Sequence, residues 1–177
     1  MQQKIVLIGG PGTGKSTVLN ELISRGYFCM PEISREVTLE AQKKGIDQLF
    51  LTEPLLFSNL LLEGREKQYK DAASKSNKLV FFDRGIPDVH AYLNYLQQPY
   101  PSYFVEKSNR YKYDRVFILP PWEDIYISDN ERYENFEQAV AIFHELKRTY
   151  HAIGYSLTTV PFGTVKERTN FILDALN

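Results

Sequence analysis

Along this chain, short unbroken apolar runs alternate with longer segments whose apolar residues return every three or four positions. The first pattern is that of a strand buried on both faces, the second that of a helix lying on a sheet. Lys4–Ile8, Tyr27–Met30, Lys78–Asp83, Arg115–Leu119 and Tyr155–Val160 are the predicted strands. Helices are predicted from Thr17 onward, over 33–44 up to Gly45, from Glu53-Pro54 to the polar stretch 71–77, and over 86–96, 102–109, 135–151 and 164–176. Pro54 suits a first helical turn, and Leu55, Leu56, Leu60 and Leu61 mark the apolar positions of that long helix. Ile46–Thr52 reads as a connector, and Trp122–Glu134 as a polar loop. Five strands separated by helical crossovers predict an α/β fold, a doubly wound five-stranded parallel sheet. No internal repeat, low-complexity tract or second domain is visible, so residues 1–177 read as one domain with a lid at 122–134.

Composition narrows the class. A length of 177 residues suffices for a real core. A net charge of −1 and a pI near 6.3 provide no electrostatic footprint for nucleic acid. The single cysteine, Cys29, excludes an internal disulfide and a cysteine-based zinc site. No apolar run approaches the roughly 18 residues of a membrane span. The first strand begins near residue 4, which leaves no room for a signal peptide, and a cytoplasmic protein is expected. His90, His144 and His151 do not fall at metal-ligand spacing.

The residues between the first strand and the first helix change the picture most. Gly9-Gly10-Pro11-Gly12-Thr13-Gly14-Lys15-Ser16 reads G-x-x-x-x-G-K-S, a phosphate-binding loop in its required strand–loop–helix setting. Glycines let the backbone bend around a phosphate chain, and successive N–H groups then face inward at a helix N-terminus. Gly10, Gly12, Thr13, Gly14, Lys15, Ser16 and Thr17 are the candidate nucleotide contacts. Lys15 is expected to reach the β- and γ-phosphates, and the Ser16 hydroxyl to bind Mg²⁺.

Other candidates stand at strand ends, where ligands bind in open α/β sheets. Asp83 closes the third strand and is a candidate Mg²⁺ carboxylate, the alternative being a turn or N-cap aspartate. Arg84 follows it and can clamp a substrate or spread transition-state charge, unless it is a surface ion pair. Glu32 and Arg35, in Pro31-Glu32-Ile33-Ser34-Arg35-Glu36, follow the second strand. A carboxylate there is placed to take a proton from an acceptor hydroxyl, with Arg35 positioning the substrate; a helix N-terminal acid is the equal alternative. Asp88 and Tyr92, four apart on the helix after Asp83, either face the acceptor or form a helix surface. Arg132, in Asp129-Asn130-Glu131-Arg132, is the candidate lid cation over the transferring phosphoryl group. Pro161 and Phe162, after the last strand, are placed to pass beside a purine base. An Asn-Lys-x-Asp guanine signature is missing, since Asn77-Lys78-Leu79-Val80 lacks the aspartate; this argues against a Ras-like GTPase.

Taken in order, the phosphate loop, Pro31-Glu32-x-x-Arg35-Glu36, Phe82-Asp83-Arg84-Gly85, Tyr113-Asp114-Arg115-Val116-Phe117, Arg132 and Gly154-Tyr155 span nearly the whole chain. In them the chain resembles the P-loop ATPase/kinase family typified by the ribosylnicotinamide kinase domain of NadR, often given an AAA-like label. Asp83-Arg84-Gly85 is closer to the Asp-Arg-x of deoxynucleoside and thymidylate kinases. The resemblance implies a P-loop NTPase fold of nucleotide-kinase type, ATP or another purine triphosphate, Mg²⁺ and a lid. It implies catalytic roles for Lys15, Glu32, Asp83, Arg84 and Arg132. The expectation is a kinase moving the ATP γ-phosphoryl to a nucleoside-like hydroxyl, with Glu32 or Asp83 as base. The competing expectation is a nucleotide-switched module or slow ATPase or GTPase acting through a protein or lipid partner, since fold does not dictate activity.

Overall fold

The computed structural model describes residues 1–126 and 135–176. Five strands, β1 (Gln3–Ile8), β2 (Phe28–Met30), β3 (Leu79–Asp83), β4 (Arg115–Ile118) and β5 (Leu157–Thr159), form one sheet in the order β2-β3-β1-β4-β5. Every pairing is parallel, with Leu7 beside Asp83, Val6 beside Val116, Cys29 beside Phe81 and Phe117 beside Thr158. The expected doubly wound sheet is therefore present.

Apolar alternation within each strand sends successive side chains to opposite faces. Ile5, Leu7, Phe81 and Phe117 face α1 (Lys15–Ser24) and the last helix, α8 (Val165–Asp174), through Val18, Leu19, Leu22 and Ile172. Val6, Ile8, Val80, Phe82, Val116 and Ile118 face the other way. They pack on α4 (Pro54–Ala72), α5 (Ile86–Tyr95) and α7 (Phe136–Ala152), through Ala72, Ala91, Ile142, Leu146 and Tyr150. A third cluster lies beyond the sheet edge, where α2 (Ser34–Lys43) and α6 (Tyr103–Arg110) join α4 and α5. Ile33, Leu61, Leu62, Val89, Leu93 and Phe104 fill it.

Three departures from the sequence pattern have physical causes. The 46–52 connector contains a one-turn helix, α3 (Leu49–Thr52), anchored by buried Leu49. β5 is three residues long because, as an edge strand, it pairs only with β4. On α4 the buried stripe is not the one expected: Leu56 and Leu60 are exposed, whereas Ser58, Leu61, Leu62, Arg65 and Ala72 are buried. That spacing of three, four and seven is a helical stripe rotated away from the leucine pair, and it carries a cation inward. Among the described residues, no helix is long and apolar enough to cross a membrane.

The connection after β1 enters α1 on one face of the sheet, and the connection after β3 enters α5 on the other. β1 and β3 are neighbours, so a crevice opens between their carboxyl ends, at the switch point of the sheet.

Candidate active site

Residues 9–16 leave β1 directly into that crevice. Gly12 and Gly14 hold φ angles of 70° and 74°, left-handed values that a β-carbon penalises. Space excludes one as well: a β-carbon on Gly12 falls 2.3 Å from the Tyr126 ring, and one on Gly14 falls 2.7 Å from Nη1 of Arg168. Thr13 Oγ1 donates to the Gly10 carbonyl at 3.1 Å, and Thr17 Oγ1 to the Gly14 carbonyl at 2.7 Å. No side chain caps the N-terminus of α1, and its first turn holds no acid. The leading N–H groups are therefore left for an external anion. Ser16 and Thr17 are exposed on this turn.

Lys15 is buried at the base of the loop, and its ammonium pairs with the Asp83 carboxylate. Burial lowers the Lys15 pKa, as does the Arg84 charge, while Asp83 and Glu32 oppose the shift.

Asp83 ends β3 opposite Leu7, and the next backbone N–H, that of Arg84, donates to the Leu7 carbonyl at 3.0 Å. Arg84 sits at φ 68°, uncommon for a residue with a side chain. The turn sends its guanidinium toward the end of β2. There Nε donates to Glu32 Oε2 at 2.9 Å and Nη1 to the Tyr92 hydroxyl at 2.9 Å. Arg65 reaches the same carboxylate from α4, at 3.6 Å, and donates to the Gly85 carbonyl at 2.8 Å. The Ser34 N–H donates to Glu32 Oε1 at 3.2 Å. Burial alone would raise the Glu32 pKa, but Arg84, Arg65 and Lys15 together with that N–H outweigh it and hold the carboxyl at about 2. Glu32 is thus an ionised acceptor at neutral pH. Its other neighbours are fixed from α4, where Gln68 donates to the Pro31 carbonyl at 2.7 Å.

The structure thus brings Lys15, Asp83, Arg84, Glu32 and Tyr92 into one constellation. Arg35 stands nearby in sequence but is exposed on α2. Asp88 does not take the open position expected of a substrate contact. It is wholly buried: one carboxylate oxygen accepts from the Gly85 N–H at 2.9 Å and from the Tyr150 hydroxyl at 2.6 Å. Its position caps α5 and fixes the turn that carries Arg84. Burial raises the Tyr150 pKa well above the ordinary tyrosine value, and the Asp88 charge adds to this, so the hydroxyl stays a donor.

On the far side of the loop, Phe162 is exposed after β5 and stacks on Trp122, with ring centroids 5.0 Å apart. Pro161 is exposed beside it. Arg132 and most of the expected lid lie outside the described residues. Trp122, Arg65 and Arg168 are absent from the sequence-based candidates. Arg65 was legible as a cation four residues after Leu61 on the stripe just described, and Arg168 as one four residues before buried Ile172.

Among the described residues no cluster of three or more metal-ligating side chains occurs. One hydroxyl at the first turn of α1 and one carboxylate at the end of β3 nonetheless fit Mg²⁺, which is held by substrate phosphates, waters and few protein oxygens rather than by a cage. Ser16 and Asp83 are the donors on offer, and Asp83 must first part from Lys15.

A family model described as an AAA domain matches residues 4–168. Deoxyadenosine kinase from M. mycoides, solved with products dCMP and a flexible dCDP, is 20% identical with a TM-score of 0.73 over 99% of each chain. The same enzyme with bound dATP is 18% identical with a TM-score of 0.66, over 99% of this chain and 100% of that one. NadR protein in complex with NR is 20% identical with a TM-score of 0.74, over 99% of this chain and 48% of NadR, so the chain spans about half of that protein. No curated protein matches the sequence. At these identities the shared property is the fold.

Proposed function

The chain belongs to this AAA-domain family, and from that premise we propose that residues 1–177 form an ATP-dependent phosphotransferase whose acceptor is a nucleoside-like hydroxyl. The observation that carries the reading is the adjacency of two prepared sites. A phosphate loop with an uncapped helix N-terminus adjoins an ionised carboxylate, Glu32, held by Arg84 and Arg65. Deoxyadenosine kinase and NadR, with the ligands named in their structures, favour a nucleoside-type acceptor.

In the proposed reaction the loop N–H groups and Lys15 hold the triphosphate, and Lys15 exchanges Asp83 for phosphate oxygens as it binds. Ser16 and Asp83 would hold Mg²⁺, which would supply neutralisation of the phosphate charge. Glu32 accepts the hydrogen bond of the acceptor hydroxyl and takes its proton as the new P–O bond forms and the bond from the γ-phosphorus to the bridging oxygen breaks, with ADP leaving. Both carboxylates are paired with cations, and Glu32 is preferred for that step because Asp83 is the carboxylate assigned to Mg²⁺. Arg84 stands between Glu32 and Tyr92, and its charge opposes the negative charge that accumulates on the transferred group. Phe162 and Pro161 flank the purine, Arg35 reaches the acceptor from α2, and Arg132 covers the transferring group from the lid.

The test is ADP release from MgATP across a panel of nucleosides and nucleotides. Acceptor-dependent turnover on the order of 1–100 s⁻¹ supports the kinase. Slow release that ignores every acceptor favours the nucleotide-switched module instead.

A further inference from the structure

One buried cation near the phosphate loop has no role in the reaction above. Arg168, on α8, is 2% exposed. Its Nη1 donates to the Thr13 carbonyl at 2.9 Å and lies 2.7 Å from where a β-carbon on Gly14 would sit. Its guanidinium carbon sits 5.8 Å from the centre of the Trp122 ring, which in turn stacks on Phe162. Nε and Nη2 are buried and have no hydrogen-bond partner among the described residues. Burial lowers its pKa from the ordinary arginine value, with no neighbouring acid opposing the shift.

A buried guanidinium without a counter-ion is costly. The cost is offset if an anion arrives next to it, and the anion site nearest to hand is the loop whose carbonyl it already holds. Lys15 has Asp83 as a partner, and Arg84 has Glu32; Arg168 has no acidic partner among the described residues.

We propose that Arg168 is a positioning residue for the nucleotide, a concealed positive charge behind the phosphate loop that also ties the loop to the Trp122–Phe162 pair. It touches neither substrate; it acts through the Thr13 carbonyl and its field. Charge on the bound triphosphate and placement of the aromatic pair are thereby linked. The proposal rests on the reading of residues 9–16 as a phosphate site.

Trp122 is the sole tryptophan of the chain, so its emission reports on this contact. The experiment titrates the whole protein with MgATP and, separately, with magnesium tripolyphosphate, which has no base. Binding is followed by calorimetry and by Trp122 fluorescence. In the wild type, tripolyphosphate binds and shifts the emission. Arg168→Met weakens both ligands about tenfold, the factor equivalent to about 1.4 kcal/mol, and loses the emission response. Arg168→Lys, which keeps the charge without the fork, recovers most of the affinity. The inference is overturned if folded Arg168→Met binds as the wild type does, or if the lysine variant is as weak as the methionine one. Should Arg168→Met fail to fold, the lysine variant and the wild-type emission decide: tripolyphosphate heat without an emission change overturns it. If the wild type binds neither ligand, the phosphate site itself falls, a different result from binding that ignores residue 168.

Discussion

The two halves of the crevice handle charge in opposite ways. On the acceptor half, Glu32 lies between Arg84 and Arg65, Tyr92 takes the spare Arg84 N–H, and Asp88 is committed to Gly85 and Tyr150. Each charge there has an opposite charge or a hydrogen-bond partner within the chain, although Arg65 Nε and Asp88 Oδ1 are buried with no hydrogen-bond partner among the described residues. On the nucleotide half Lys15 is paired with Asp83, but the first turn of α1 has no cap and no acid, and Arg168 is buried without a counter-charge among the described residues. The difference teaches what each half is built to receive. A self-compensated network favours a neutral hydroxyl-bearing acceptor, whereas uncompensated N–H groups and a spare guanidinium favour a polyanion.

The comparison can be broken most severely at Lys15. Lys15→Ala removes the loop's ammonium and is expected to lower kcat/KM by about 10²–10³, the scale for losing one preorganised donor; steady-state assays read it, and retained turnover would place the activity elsewhere. On the other half, Glu32→Gln is expected to lower kcat by about 10²–10³ while MgATP affinity stays within about twofold. A parallel loss of affinity would show that the two halves are not separate. Arg65→Met leaves Glu32 one cation short and removes one of the two hydrogen bonds to the Gly85 carbonyl, and should destabilise the fold by about 2–3 kcal/mol in a denaturant melt.

Acid sharpens the contrast more gently. The folded Glu32 pKa, about 2, lies below its ordinary value of 4.5. Its contribution to stability is therefore complete above pH 4.5 and disappears as pH falls toward 2. The stability difference between wild type and Glu32→Gln should be constant from pH 5 to 8 (roughly) and shrink below that window. Salt provides the smallest effect. Raising ionic strength from about 0.1 to 0.5 M should weaken MgATP by several-fold and leave the KM of an uncharged acceptor nearly unchanged. Equal salt sensitivity on both sides would remove the distinction.

Much of this was legible in residue order, and the exceptions are specific. Gly9–Ser16, the strand ends at Glu32 and Asp83, and the parallel α/β sheet follow from local pattern. The buried stripe of α4 did not, because apolar spacing on a helix admits neighbouring faces, and only packing on Ile33, Val89 and Phe104 selects one. The burial of Asp88 is hidden for a related reason: a helical position four residues before Tyr92 says nothing about Tyr150, its partner 62 residues away.

By itself, the sequence determined the bend of the phosphate loop and the strand ends that carry carboxylates, since backbone freedom at glycine and apolar runs are properties of neighbours in the chain. Only the tertiary structure decided which charges are compensated. Arg168 meets Thr13 across 155 residues, and Arg84 meets Glu32 across 52. Whether a buried cation finds a carboxylate is set by distances in space, on which order along the chain is silent.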